Sequence, residues 1–312
     1  MTKKQQEIYN WLLKRPGYLK KSANTVHIQA FELTYAKNIS HEDVEIALKQ
    51  ARIDYKKLSA KSESVTPVIE KSVRIPSNAT SVNIIKSNWY DINNVLCIAD
   101  THEPFCKEGY LEHCKEVKEK YHCGTVVHLG DEVDLCAISQ WEKDPDGFSA
   151  GTEAEMAQVA MEKWYKAFPN TFVCIGNHTA RPFRLARTAG LPKKFLKTYE
   201  EAWNAPKGWK WSEHWELNGV LYTHGTGLSG EKAAITLATR YRQNVVLGHI
   251  HSSAGIQYNA SKIDLIWGMQ LGGAIDDKSY AAAYAKDQLK KSIVGCGVVL
   301  NGKLPVYEPM IL

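Results

Sequence analysis

The sequence predicts an α/β protein with a largely parallel core sheet, preceded by a small all-α N-terminal domain. Two observations predict it. Near-continuous apolar runs of buried-strand length, VLCIA (95–99), TVVHL (125–129) and TFVCI (171–175), are separated by helical segments near 108–122 and 152–168, which is the alternation of a βαβ chain. Before them, residues 1–58 repeat their apolar positions at helical spacing.

Ile8, Trp11 and Leu12 make one stripe before Pro16-Gly17; Val26, Ala30 and Leu33 make a second; Val44, Ala47, Leu48 and Ala51 make a third. Asn38 suits a left-handed helix end, and Ser40 followed by Asp43 supplies an N-cap. This is the outline of a helix-turn-helix with 41–57 as the candidate recognition helix, bearing Gln50, Arg52, Lys56 and Lys57. Residues 1–60 hold eleven Lys/Arg against six acids, a surplus equal to the whole chain's formal +5. A basic head on a neutral body fits DNA binding, with protein docking and a structural cap as alternatives.

Residues 59–90 turn Ser-rich and mixed, as a linker able to contribute an edge strand, and 91–312 form the expected second domain. Further strands are expected at 218–223, 244–247, 262–267 and 293–300. No window approaches a membrane helix, and the N-terminus lacks the apolar core of a signal peptide, so the expectation is a cytoplasmic protein with no membrane partner. Seven cysteines with no CxxC pair argue against a disulfide framework, and Cys106, His113, Cys114, His122 and Cys123 match none of the usual zinc spacings. The cluster Trp203, Trp209, Trp211 and Trp215 reads as core packing beneath a second sheet, with base stacking as the alternative.

Ligands of open α/β sheets sit at the carboxyl ends of strands, and there the chemistry collects. After VLCIA come Asp100 and His102; after TVVHL, Gly130-Asp131 and Asp134; after TFVCI, Gly176-Asn177-His178. LYT leads into His224-Gly225, and VVL into Gly248-His249 and His251. Each motif alone is a poor signal. Five in order, each at a strand end, are a strong one.

The set D-x-H, G-D-x-x-D, G-N-H, H-G and G-H-x-H resembles the calcineurin-like metallophosphoesterase superfamily over roughly residues 93–260. The resemblance implies a two-sheet sandwich flanked by helices and a pair of metal ions. It implies Asp100, His102 and His251 on one ion, Asn177, His224 and His249 on the other, and Asp131 bridging both. Imidazole and oxygen donors without thiolate suit two divalent ions of the Mn²⁺, Fe, Co²⁺ or Zn²⁺ group, with Mn²⁺ favoured. His178, one residue after a ligand, is then placed to be a general acid for the leaving oxygen. Asp134 either orients His178 or caps its loop.

Arg-Gly after the second acid and Glu after G-N-H mark the family's Ser/Thr protein phosphatases; this chain has Leu135-Cys136 and Thr179 instead. Phage-encoded metallophosphoesterases and the nuclease subunit of the double-strand-break repair complex look more similar, although the latter usually has Asp where Thr179 stands. Arg181 and Arg184, with Arg187, Lys193, Lys194 and Lys197, are either contacts for substrate phosphates or a solvated helix face. The leading expectation is a metal-dependent phosphodiesterase, a nuclease acting on DNA that the N-terminal domain recruits. The alternatives are a phosphomonoesterase acting on nucleotides and a DNA-binding regulator that keeps the phosphoesterase domain as a scaffold.

Overall fold

The computed structural model describes residues 2–13, 41–62, 83–84, 94–140, 145–279 and 290–311. The chain divides into two units, 1–68 and 69–312. In the first, helices α1 (Lys3–Leu13) and α2 (His41–Ser62) pack through Ile8 and Leu12 against Val44, Ala47, Leu48 and Ala51. These are the stripes that helical periodicity marks. The Val26–Leu33 stripe and the Asn38–Ser40 turn, on which the helix-turn-helix reading depends, lie outside the described residues. Asp43 accepts a hydrogen bond from Gln5 (2.9 Å), and Gln50 donates to Asp54 (2.9 Å) on its own helix. α2 continues to Ser62, past the expected end of the domain.

The second unit is two mixed six-stranded sheets flanked by helices. The first sheet runs β12-β11-β2-β3-β4-β5, built from β2 (Asn94–Ile98), β3 (Thr125–His128), β4 (Thr171–Cys174), β5 (Trp209–Ser212), β11 (Gly295–Leu300) and β12 (Leu304–Pro309). β2 to β5 are parallel, while β11 returns antiparallel onto β2 and β12 onto β11. The second sheet runs β1-β6-β7-β8-β10-β9, built from β1 (Asn83–Ile84), β6 (His214–Leu217), β7 (Val220–Thr223), β8 (Asn244–Leu247), β9 (Ala254–Ala260) and β10 (Leu265–Leu271). β1 falls in the stretch expected as a linker and pairs with β6.

Alternation along β2 explains its unbroken apolar run. Val95, Cys97 and Ala99 face the layer between the sheets, where they meet Trp215, Tyr222, Met269 and Leu271. Leu96 and Ile98 face the outer layer under helices α3 (Tyr110–Lys120) and α4 (Ala150–Ala167), with Tyr110, Met161, Trp164 and Trp209. Both faces are covered, so no polar face survives. Trp203, Trp209 and Trp215 are buried in these layers, as core packing requires. Two short helices, α5 (Arg181–Thr188) and α6 (Tyr199–Ala202), follow β4, and α7 (Ala233–Tyr241) covers the outer face of the second sheet through Leu221, Val245 and Ile266. All seven cysteines are free thiols, and no described helix is long and apolar enough to cross a membrane.

Candidate metal centre

Register places the ligands. Ile98 pairs with His128, and His128 with Val173, so β2, β3 and β4 end level and deliver Asp100, Asp131 and Asn177 to one edge. In the second sheet Thr223 pairs with Leu247, which brings His224 and His249 to the matching edge. The turns are tight: Asp100, His102, Asp131 and His249 all have positive φ, between 48° and 69°. Each costs about 1–3 kcal/mol for a residue with a Cβ, a strain that collects at functional sites. Gly176 is needed for space, because a Cβ there would stand 2.0 Å from Asp131 Oδ1.

Two groups of side chains converge. Asp100, His102 and His251 form one trio, and Asp131, His224 and His249 another, each with ligand atoms within 4.8 Å of one another. In the first, His102 Nε2 is 3.1 Å from His251 Nε2 and 4.0 Å from Asp100 Oδ1, and His251 Nε2 is 3.4 Å from Asp100 Oδ1. In the second, His224 Nε2 is 2.9 Å from Asn177 Oδ1 and 3.1 Å from Asp131 Oδ2. The structure thus gathers all seven expected ligands.

These contacts fit cations better than protons. His102 Nδ1 donates to Asp134 Oδ2 (2.8 Å), so its Nε2 carries a lone pair that faces another ring nitrogen. His224 Nδ1 donates to the Leu129 carbonyl (2.9 Å), and its Nε2 faces two oxygens, Asn177 Oδ1 and Asp131 Oδ2. Donor atoms about 2.1 Å from a shared ion lie roughly 3.0–3.4 Å apart, and three of the five separations fall in that range, with His102–Asp100 at 4.0 Å and His224–Asn177 at 2.9 Å outside it. Without ions the site must share protons instead. Burial pulls His224 down, but the Asp131 carboxylate more than offsets it and raises the ring to about 9. Burial lowers His249 to about 4, helped by the neighbouring His224.

Asp134, expected to orient His178 or cap its loop, contacts both His102 and His178. Its Oδ2 accepts from His102 Nδ1 and fixes that ring's tautomer, as a carboxylate beside a metal-binding histidine would. His178 Nδ1 meets the main-chain oxygen of Asp134 at 3.0 Å and its carboxylate only at 3.5 Å. Burial pushes Asp134 up, yet hydrogen bonds from His102 and His178 hold it well below the usual carboxylate range.

Of Arg181 and Arg184, expected as substrate-phosphate contacts or as a solvated helix face, Arg181 is buried and Arg184 is exposed. Arg181 is 7% exposed, and its guanidinium donates to the Asp134 carbonyl (2.8 Å) and to His178 Nε2 (3.1 Å). Arg184 donates to the Asn177 carbonyl (2.9 Å). Both brace the loop that carries Asn177 and His178.

Three further buried groups support the site. Glu132 accepts from Thr179 Oγ1 (2.7 Å) and Trp211 Nε1 (3.0 Å), tying the Asp131 and Asn177 loops together. Glu153 accepts from the N–H groups of Cys136 and Ala137 (2.7 Å each) behind Asp134. His128 accepts from Gly130 N–H (3.2 Å) at Nδ1 and meets Thr101 Oγ1 (3.1 Å) at Nε2. Sequence reasoning missed all three; the one available signal was polar residues inside strand or motif positions.

The calcineurin-like phosphoesterase family model matches residues 94–264. No curated protein matches the chain. Among solved structures, vacuolar protein sorting 29 from Cryptosporidium parvum is similar at 12% identity, covering 70% of this chain and 98% of that one, with a TM-score of 0.36. The phosphoesterase Yfce from E. coli gives 12% identity over 67% and 88% (TM-score 0.30). A metallophosphoesterase from Sphaerobacter thermophilus gives 13% over 70% and 88% (TM-score 0.34). The family match spans more than half of the chain and contains all seven ligand positions, and the chain therefore belongs to the calcineurin-like phosphoesterase family, whose members are metal-dependent phosphoester hydrolases.

Proposed function

We propose that the protein is a phosphodiesterase that cleaves nucleic acid, DNA foremost, with two Mn²⁺ ions as its metals and the basic N-terminal unit recruiting the substrate. Asp100, His102 and His251 would hold one ion, Asn177, His224 and His249 the other, with Asp131 shared. Such a pair supplies Lewis acidity at the phosphoryl oxygens and a nucleophile at neutral pH.

One observation carries the reading. The ligands Asp131, Asn177, His249 and His251, with His178 beside them, open into a cavity of about 350 Å³, far more than a phosphoryl group fills. Ester groups on both sides of phosphorus find room there. His178 keeps Nδ1–H on the Asp134 carbonyl, which leaves Nε2 for the leaving oxygen. Arg181 now donates to that nitrogen, so a proton on Nε2 requires the Arg181 contact to open.

The test compares bis-(p-nitrophenyl) phosphate, p-nitrophenyl phosphate and DNA after chelation and Mn²⁺ readdition. The diester should be preferred. His178→Gln should cut DNA cleavage by about 10²–10⁴-fold, because an alkoxide needs a proton, and affect the activated aryl diester only mildly. Faster monoester hydrolysis, with DNA surviving prolonged incubation, would replace this reading by that of a nucleotide phosphatase.

A further inference from the structure

Besides the proposed metal ligands, the cavity is lined by residues 228–230 and 290–292. These bring Lys290 and Lys291 with the hydroxyls of Ser229 and Ser292 to the wall, and Asp277 also lines it. These lysines lie beyond the residues that the family model matches. We propose that Lys290 and Lys291 form a subsite for a second, non-scissile phosphate, so that the preferred substrate is a phosphodiester chain bearing another phosphate next to the one cleaved. This rests on the phosphodiesterase reading above.

The wall is fixed relative to the metal ligands. Ile293 N–H donates to the His251 carbonyl (2.9 Å), and the Ile293 carbonyl accepts from Gly273 N–H (3.1 Å). Val294 is tied to Met310 (2.9 Å), and β11 begins at Gly295. The two lysines therefore leave the sheet within three residues of a direct bond to a ligand's backbone. Their ammonium groups move on flexible stems, but their attachment does not.

Charge selects the occupant. Lys290 and Lys291 stand here with Asp277 in the lining and Glu231 paired to Lys290, so a phosphate would bind by taking the place of Glu231 on Lys290. Lys290 Nζ is 2.7 Å from Glu231 Oε1, with the two side chains 65% and 68% exposed. An ion pair that exposed is cheaply exchanged for another anion. Arg181, which the sequence offers for this task, is bound inward, whereas Lys290 is exposed and lines the cavity with Glu231 as its ion-pair partner.

The experiment uses the full chain with Mn²⁺ and slowly cleaved phosphorothioate dinucleotides: TpT, pTpT and TpTp. Equilibrium binding should favour one of the two phosphorylated forms over TpT by about tenfold, from two exposed charge contacts. The double variant Lys290→Gln/Lys291→Gln should erase that preference while keeping its metal content and melting temperature. Glu231→Gln, which releases Lys290, should enlarge it by about two- to threefold. Equal binding of all three dinucleotides by the wild type, or a preference that persists in the double variant, overturns the subsite. Failure of the wild type to hydrolyse bis-(p-nitrophenyl) phosphate would instead overturn the phosphodiesterase reading, and the binding comparison would still decide the subsite.

Discussion

Replacing Asp134 by Asn separates two functions that a five-residue motif confounds. Asp134 is 1% exposed, its Oδ2 accepts from His102 Nδ1 at 2.8 Å, and its Oδ1 lies 3.4 Å from Arg181 and 3.5 Å from His178. The amide keeps the shape and removes the charge. His102 then loses the partner that fixes its tautomer and raises its basicity, a change that typically lowers metal affinity by 10–100-fold, or about 1.4–2.7 kcal/mol. Arg181 keeps the Asp134 carbonyl at 2.8 Å, so the metal-free fold should lose only about 1–3 kcal/mol and not the larger cost of a stranded buried charge. Chelator competition gives the Mn²⁺ dissociation constant, and urea unfolding in EDTA gives the stability. Unchanged Mn²⁺ affinity with lost turnover would refute the reasoning, because Asp134 would then act through His178 and not through a ligand.

Glu132→Ala strands the Thr179 hydroxyl and the Trp211 N–H and should cost about 1–3 kcal/mol in urea unfolding, whereas Glu132→Gln, which can still meet both, should restore most of it. His128 is lowered by burial to about 4, so the unfolded chain takes up the proton first. Its stabilising contribution is complete above about pH 6.5 and is lost as pH falls toward 4, by up to about 3 kcal/mol. Urea midpoints between pH 4 and 7 in EDTA should show a flatter slope for His128→Asn than for the wild type. Removing residues 1–62, a cut placed after α2, should weaken DNA binding and flatten its salt dependence while small-ester hydrolysis persists. Identical salt slopes with and without the head would leave it no recruiting role.

Much of the catalytic unit was legible because its signals are local. The runs at β2, β3 and β4 advertise strands covered on both faces, and ligand-type residues at their ends advertise the site. What escaped depends on distant partners. β11 pairs with β2 across about two hundred residues, and nothing in its composition names that partner. β10 begins at Leu265 and not at 262, because Ser261 and Asp264 close a turn through Ser261 Oγ. The strand also runs on through Gly268, where a Cβ would stand 2.4 Å from the backbone of α7. β9 and β12 were missed because AGIQYNA is polar and half exposed and LPVYEP carries two prolines, the marks of edge strands. Arg181 looks like a surface cation in sequence. Only the fold reveals the Asp134 carbonyl and His178 within its reach.

The motif Gly130-Asp131-Glu132-Val133-Asp134 shows how environment divides labour among identical groups. Three carboxylates within four residues, each at most 1% exposed, could not all stay charged without compensation. Asp131 has His224 beside it and receives the His178 N–H at 2.7 Å, the position of a group awaiting cations. Asp134 keeps its charge against Arg181 and the His102 ring. Glu132, held by the Thr179 hydroxyl, the Trp211 indole N–H and its own backbone, is still pushed by burial up to about 7. Asp131 thus stands among the histidines, Asp134 orients the His102 ring, and Glu132 holds the adjoining loop with its charge weakened by burial. Exchanging the partners of any one of them would reassign its role without touching the motif.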